Sequence, residues 1–119
     1  MSYSFAHLDQ IEPSGPGGVV RFVRRELGAT AFSINHFTLA AGASGREHDE
    51  SDSKQEEVMV VLAGSGVLRV DGDELELKPG RLVRLDPEAT RVPVAGADGL
   101  TFITIGSPRE DPYAPRGPF

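Results

Sequence analysis

Cysteine is absent from the 119 residues, which excludes a disulfide framework, a thiolate nucleophile and any cysteine-built zinc or iron–sulfur site. Tryptophan is also absent, and there are only three histidines. Positive charge is in short supply: 12 Lys and Arg face 18 Asp and Glu, for a net charge of −6. No basic field is available to recruit a phosphate backbone, so nucleic acid is not an expected partner. Apolar runs are short. None approaches the eighteen or so residues of a membrane span, and Met1 to Gln10 lacks a cationic stretch followed by an apolar one. The expectation is a soluble, cytoplasmic protein with no membrane partner.

Hydrophobic residues make up 39%, ordinary for a globular domain once glycine is added. The length suits one domain and one core that needs neither disulfide nor metal for stability. Fourteen glycines and nine prolines punctuate short β-prone runs and leave no room for long helices, which is the pattern of an all-β domain. Eight strands are predicted: Val19–Arg25, Ala31–Ala40, Val58–Ala63, Val67–Val70, Glu74–Leu77, Arg81–Leu85, Arg91–Val94 and Leu100–Gly106. Such a set suggests a sandwich or barrel. Asp71-Gly72 supplies the positive φ angles of a type I′ hairpin turn, and Pro79-Gly80 those of a type II turn.

Organisation divides into an N-terminal segment (1–30) whose strand packs on the barrel or on a partner, a barrel (31–106), and a proline-rich tail (107–119). Ser14 to Gly18 reads as a flexible joint, and Glu47–Glu57 as an acidic loop. Tyr113 and Phe119 of the tail are candidates for docking on the barrel or a partner. Between Gln55 and Leu62 both alternating faces are covered by apolar residues, Val58, Val60 and Leu62 against Met59 and Val61. A strand apolar on both sides must be packed on both sides, so a second subunit is expected and a homodimer is the preferred assembly.

Two stretches carry the chemistry. Gly42 is followed after five residues by His48-Asp49-Glu50, and Glu57 after six by Gly64. Further on, Gly80 leads to Pro87-Glu88-Ala89-Thr90-Arg91-Val92. The first resembles the leading motif of the cupin superfamily (Gly, five residues, His-x-His, three or four residues, Glu, six residues, Gly), and the second echoes its later Gly, Pro-x-Gly, His motif with one residue added. The resemblance spans about residues 31–106 and implies a cupin-type jelly-roll barrel, a double-stranded β-helix. It also implies a pocket in the barrel and a divalent transition metal held by three His and one Glu.

Only His48 and Glu57 fall on ligand positions of that motif. The second His slot holds Glu50 counted from His48, or Asp52 or Ser53 counted back from Glu57. The last holds Arg91 counted from Gly80, or Val92 counted from Pro87. A guanidinium has no lone pair to give a metal and attracts anions instead, so the metal set (His48, Glu57 and Glu50) is incomplete and the cofactor is left open, with none preferred over a transition metal. The predicted ligand-binding residues are His48, Gln55, Glu57 and Arg91, receiving a carboxylate or hydroxyl of a small molecule. Arg91 either pairs with an inward Glu57 or lies on the surface, and no catalytic residue is assigned. His36 is weighed as a substitute imidazole against a half-buried structural histidine, and His7 is given no role. Three functions follow: a metal-free barrel binding a small organic ligand, whether as carrier, sensor or isomerase; a metal-dependent enzyme of dioxygenase or isomerase type; and a non-catalytic structural or interaction module.

Overall fold

The computed structural model describes residues 2–110 and 112–118. After a short 3₁₀ turn at Leu8–Gln10 and another at Pro16–Gly18, strand β1 (Val20–Arg21) leads into helix α1 (Val23–Leu27). Five further strands follow: β2 (Ser33–Leu39), β3 (Gln55–Val70), β4 (Asp73–Leu77), β5 (Leu82–Leu85) and β6 (Arg91–Pro108). All pairings are antiparallel, in the order β1-β2-β6-β3-β4 with β5 also on β3.

The expected strand over Val19–Arg25 is replaced by two residues of strand and a helical turn. β1 pairs with β2 at Val20 and Arg21, and Val23-Arg24-Arg25-Glu26-Leu27 then closes a helical turn of its own, with Glu26 N–H bonded to Phe22 O. Gly28 ends the turn in the left-handed region (φ 71°), its N–H bonded to Arg24 O, the usual glycine helix stop. Four of the other expected strands merge into two, because β3 and β6 run together along most of their length. Register shifts at Val61/Ala63 and Gly64/Gly66 bend the pair across from one layer to the other, as bulges do. The first layer holds β1, β2, the second half of β6, the first half of β3, and β5. The second holds the first half of β6, the second half of β3 and β4, and residues 43–48 reach it through the bridges Ser44 to Val94 and His48 to Arg91. Together the layers form the jelly-roll barrel.

At the bend Gly64 (φ 82°) lies so close to the other strand that a Cβ there would sit 2.1 Å from Gly99 O. Only glycine permits that approach. Both turns are as expected. Asp71 and Gly72 take φ of 50° and 91°, and Gly80 takes 90° with Arg81 N–H bonded to Lys78 O. The core lies between the layers: Leu39, Met59, Val61, Leu68, Leu77, Val83, Leu85, Ala95, Leu100 and Phe102. A fully buried Leu or Val of this set contributes about 1.5–3 kcal/mol.

The two faces of β3 diverge. Met59 and Val61 are each 2% exposed inside, while Val58 and Leu62 are 37% and 47% exposed outside. Among the described residues, then, the outer apolar face is left partly exposed at Val58 and Leu62. The tail begins with Arg109 bonded to Glu56 and Asp86 and Lys54 bonded to Glu110. Beyond it Tyr113 is 78% exposed, and Phe119 lies outside the described residues. Among the described residues no helix is long and apolar enough to cross a membrane.

Candidate functional site

A cavity of about 740 Å³ opens between the layers along the inner face of β2. Strand alternation sends Ser33, Asn35, Phe37 and Leu39 into it from β2, and Gln55, Glu57 and Met59 from β3. Phe102 and Thr104 enter from the second half of β6, Arg91 and Pro93 from the first, and Ser44, Arg46, His48 and Glu50 from the connecting segment. Gly15, Pro16, Val19, Val20 and Phe22 close it from above. The ring of Phe37 stacks on that of Phe102, with centroids 5.0 Å apart.

At one end the charged groups interlock. Arg91 is only 2% exposed; its Nη2 donates to Glu57 Oε1 at 3.0 Å and its Nη1 to Ala89 O at 2.7 Å. Of the two outcomes weighed for Arg91, the inward pair is the one present. Burial raises the Glu57 carboxyl above its ordinary value, an effect that the Arg91 guanidinium opposes and the Glu50 carboxylate reinforces. Burial thus competes with ion pairing at one side chain.

His48 faces two acceptors. Its Nδ1 is 3.1 Å from Arg46 O and its Nε2 is 3.0 Å from Glu50 Oε2. A neutral imidazole has one N–H and can serve only one of them as donor. His48, Glu50 and Glu57 each bring a ligand atom into a group lying within 4.8 Å. One imidazole and two carboxylates are a donor set that suits a borderline or hard divalent ion, and a backbone carbonyl on the far nitrogen is the usual way such a histidine is oriented. Arg91 stands where a fourth ligand is expected and anchors Glu57 instead.

The remaining sequence candidates separate. Gln55 lines the cavity, and its Oε1 is buried without a hydrogen-bond partner. Asp52 and Ser53 are exposed and outside the cavity, and Val92 alternates to the other face from Arg91. His36 does not reach the cavity. It sits on the outward face of β2, pairs across to Arg21 and Ile103, and is 6% exposed with Nδ1 unpartnered, so it cannot replace a missing imidazole. His7 accepts a bond from Asp9 N–H at the first turn. Sequence reasoning missed the roof from Gly15 to Phe22, read there as a joint and a strand. It also missed Asn35 and Thr104, although Asn35 shares its alternation with Phe37 and Leu39.

A family model described as the cupin domain matches residues 35–99, more than half of the chain. Among curated proteins none matches in sequence. Solved structures do match. A cupin protein from Bacteroides fragilis has TM-score 0.82 and 22% identity over 98% of this chain and 92% of that one. A sugar phosphate isomerase of the cupin superfamily from Silicibacter pomeroyi has TM-score 0.70 and 22% identity over 87% and 74%. A predicted oxalate decarboxylase from Thermotoga maritima has TM-score 0.71 and 16% identity over 87% and 97%. At these identities the likenesses establish the fold, and the differing names show how many chemistries that fold serves. With the jelly-roll barrel, the motif spacings and the matched span in agreement, the chain belongs to the cupin family.

Proposed function

We propose that this cupin binds a small organic molecule in its barrel, the polar end of the molecule lying against His48, Glu50, Gln55, Glu57 and Arg91. One observation carries the reading: a cavity of about 740 Å³, within the size range of small-molecule sites, has its charged groups gathered at one end and aromatic and aliphatic walls at the other. Glu57, with its carboxyl raised by burial, and His48 are groups able to hold or pass a proton at a bound molecule. A thermal-shift screen of small acids, sugars and hydroxylated ring compounds tests this. A ligand at a hundred times its Kd adds about 2.7 kcal/mol of stability, and the shift should vanish in His48→Ala. If no compound stabilises the protein, or if a stabilising compound binds Met59→Trp, which fills the cavity, as well as it binds the wild type, the reading fails.

The convergence of His48, Glu50 and Glu57 favours a second reading, in which the same end holds a divalent metal. These three residues would be its ligands, and Arg91 would fix the Glu57 carboxylate. Such an ion would supply Lewis-acid polarisation of a bound oxygen. Elemental analysis of untagged protein decides between the readings: about one equivalent of a transition metal, lost in His48→Ala, supports the metal, and less than about a tenth of an equivalent after reconstitution removes it.

We also propose that the outer face of the first layer pairs with a second copy. Val58, Leu62 and Leu82 are exposed there, and Leu82 and Ile103 both neighbour Val60. Leu82→Glu should convert a dimer into a monomer by sedimentation velocity; a wild-type monomer at micromolar concentration contradicts it.

A further inference from the structure

Resting on the ligand-pocket reading, we infer the class of molecule the pocket takes: an uncharged hydroxylated ring, a cyclic sugar or a cyclitol, held by the neutral side chains of Ser33, Asn35 and Thr104. The charged groups around the cavity are largely spent on one another. Arg91 has its terminal nitrogens on Glu57 Oε1 and Ala89 O. The two oxygens of Glu50 are met by Ser53 Oγ at 2.7 Å and His48 Nε2 at 3.0 Å. Gln55 Oε1 and Arg91 Nε are enclosed by protein and are out of a ligand's reach. Arg46 lines the cavity from an exposed position on the rim, where solvent and salt screen its charge. With two arginines and two glutamates in the lining, the fixed charges cancel. A ligand with a net charge would leave water for a chamber whose interior has no counter-charge to spare, which is costly.

The neutral side chains are differently placed. Ser33, Asn35 and Thr104 line the cavity, and none of the three side chains is hydrogen-bonded among the described residues. Their polar atoms are not among those enclosed by protein, so they open on the cavity. Asn35 and Thr104 are register partners on β2 and β6, their Cβ atoms about 5 Å apart, and Ser33 lies two residues along β2, about 7 Å away. Ser33 is in register with Gly106, and Gly106 with Glu57, so the row begins beside the charged end. Each of these side chains both donates and accepts. A hydroxyl of the ligand does the same, whereas a carboxylate only accepts and an ammonium only donates. The row is fixed on two paired strands, and a ring, whose hydroxyls are already held at set spacings, gives up less freedom on it than an open chain does. The C–H faces of the ring suit the apolar walls, Val20 and Met59 among them.

The test titrates the full chain by calorimetry at pH 7 with glucose, galactose, mannose and myo-inositol, with sorbitol as the open chain and with glucuronate, glucose 6-phosphate and glucosamine as charged forms. At least one neutral ring should bind, with sorbitol and the charged forms about tenfold weaker or more, the scale of one lost hydrogen bond. Thr104→Val keeps the shape of the side chain and breaks no bond within the chain, so its melting midpoint should equal or exceed that of the wild type while the ring binds about tenfold less tightly. Asn35→Leu should behave in the same way. A charged form that binds as tightly as the best neutral ring overturns the uncharged class and leaves the pocket reading standing. So does silence from this whole panel when the thermal-shift screen yields another ligand. Equal binding of sorbitol overturns the ring, and unchanged affinity in either variant overturns the row as the recognition edge. If panel and screen are both silent, both readings fall together.

Discussion

Glu56 and Glu57 are adjacent in sequence and could hardly differ more in surroundings. Glu57 turns into the barrel, 12% exposed, and meets an arginine that is 2% exposed. Glu56 turns outward, where Arg84 and Arg109 share it with Asp86, all four side chains between 40% and 59% exposed. The outer cluster has more ion pairs, yet solvent screens it, and exposed pairs contribute little. The inner pair is a single contact with nowhere else to go. Breaking one side of it strands a charge away from water. Strand alternation alone sorts the same chemistry into a rigid fixture inside and a loose surface network outside.

The comparison can be broken from the inside first. Arg91→Met should cost about 3–5 kcal/mol, the range for removing one partner of a buried pair, read from urea midpoints. The double variant Glu57→Leu/Arg91→Met should recover most of that loss. Failure to recover would mean that Arg91 acts through packing and its bond to Ala89 O instead of through Glu57.

A smaller effect appears with pH. Burial raises Glu57 above its ordinary 4.5, so the folded protein keeps that proton where the unfolded chain has released it. Its stability term is complete below 4.5 and is lost as pH rises through the raised value. His36 behaves oppositely. Burial and then Arg21 lower it from 6.5, so its term is complete above 6.5 and is lost as pH falls through the lowered value. Midpoints measured from about pH 4 to 7 should show the first slope flattened in Glu57→Gln and the second in His36→Leu. The smallest effect is expected outside: Arg84→Ala should leave the melting midpoint within error, and a clear loss there would show that the surface cluster works as a unit.

Much of the fold was readable because local chemistry and global structure agree. Asp71-Gly72 and Pro79-Gly80 demand particular backbone angles, and the spacings Gly42 to His48 and Glu57 to Gly64 set where the chain turns inward. The Glu57–Arg91 contact is one of two outcomes open for Arg91, the other being a surface position. What stayed hidden depends on partners that alternation does not reveal. Val19–Arg25 has the composition of a strand, yet only Val20 and Arg21 pair with β2 and a helical turn follows, and the merging of short strands into β3 and β6 depends on bulges at Val61–Gly66. His36 and Asn35 are neighbours in sequence, and only the register of β2 against β6 decides which one sees the cavity.

The roof of the pocket has a practical consequence. Gly15, Pro16, Val19, Val20 and Phe22 all precede the span shared with other cupins, and they meet the barrel through the short β1 pairing and the Thr38 N–H bond to Val19 O. On the ligand-pocket proposal, grafting a different leader of the same length onto an unchanged barrel would alter which molecules are admitted while sparing the charged end. The proposed pocket's selectivity would then be open to modular engineering, one short cassette at a time.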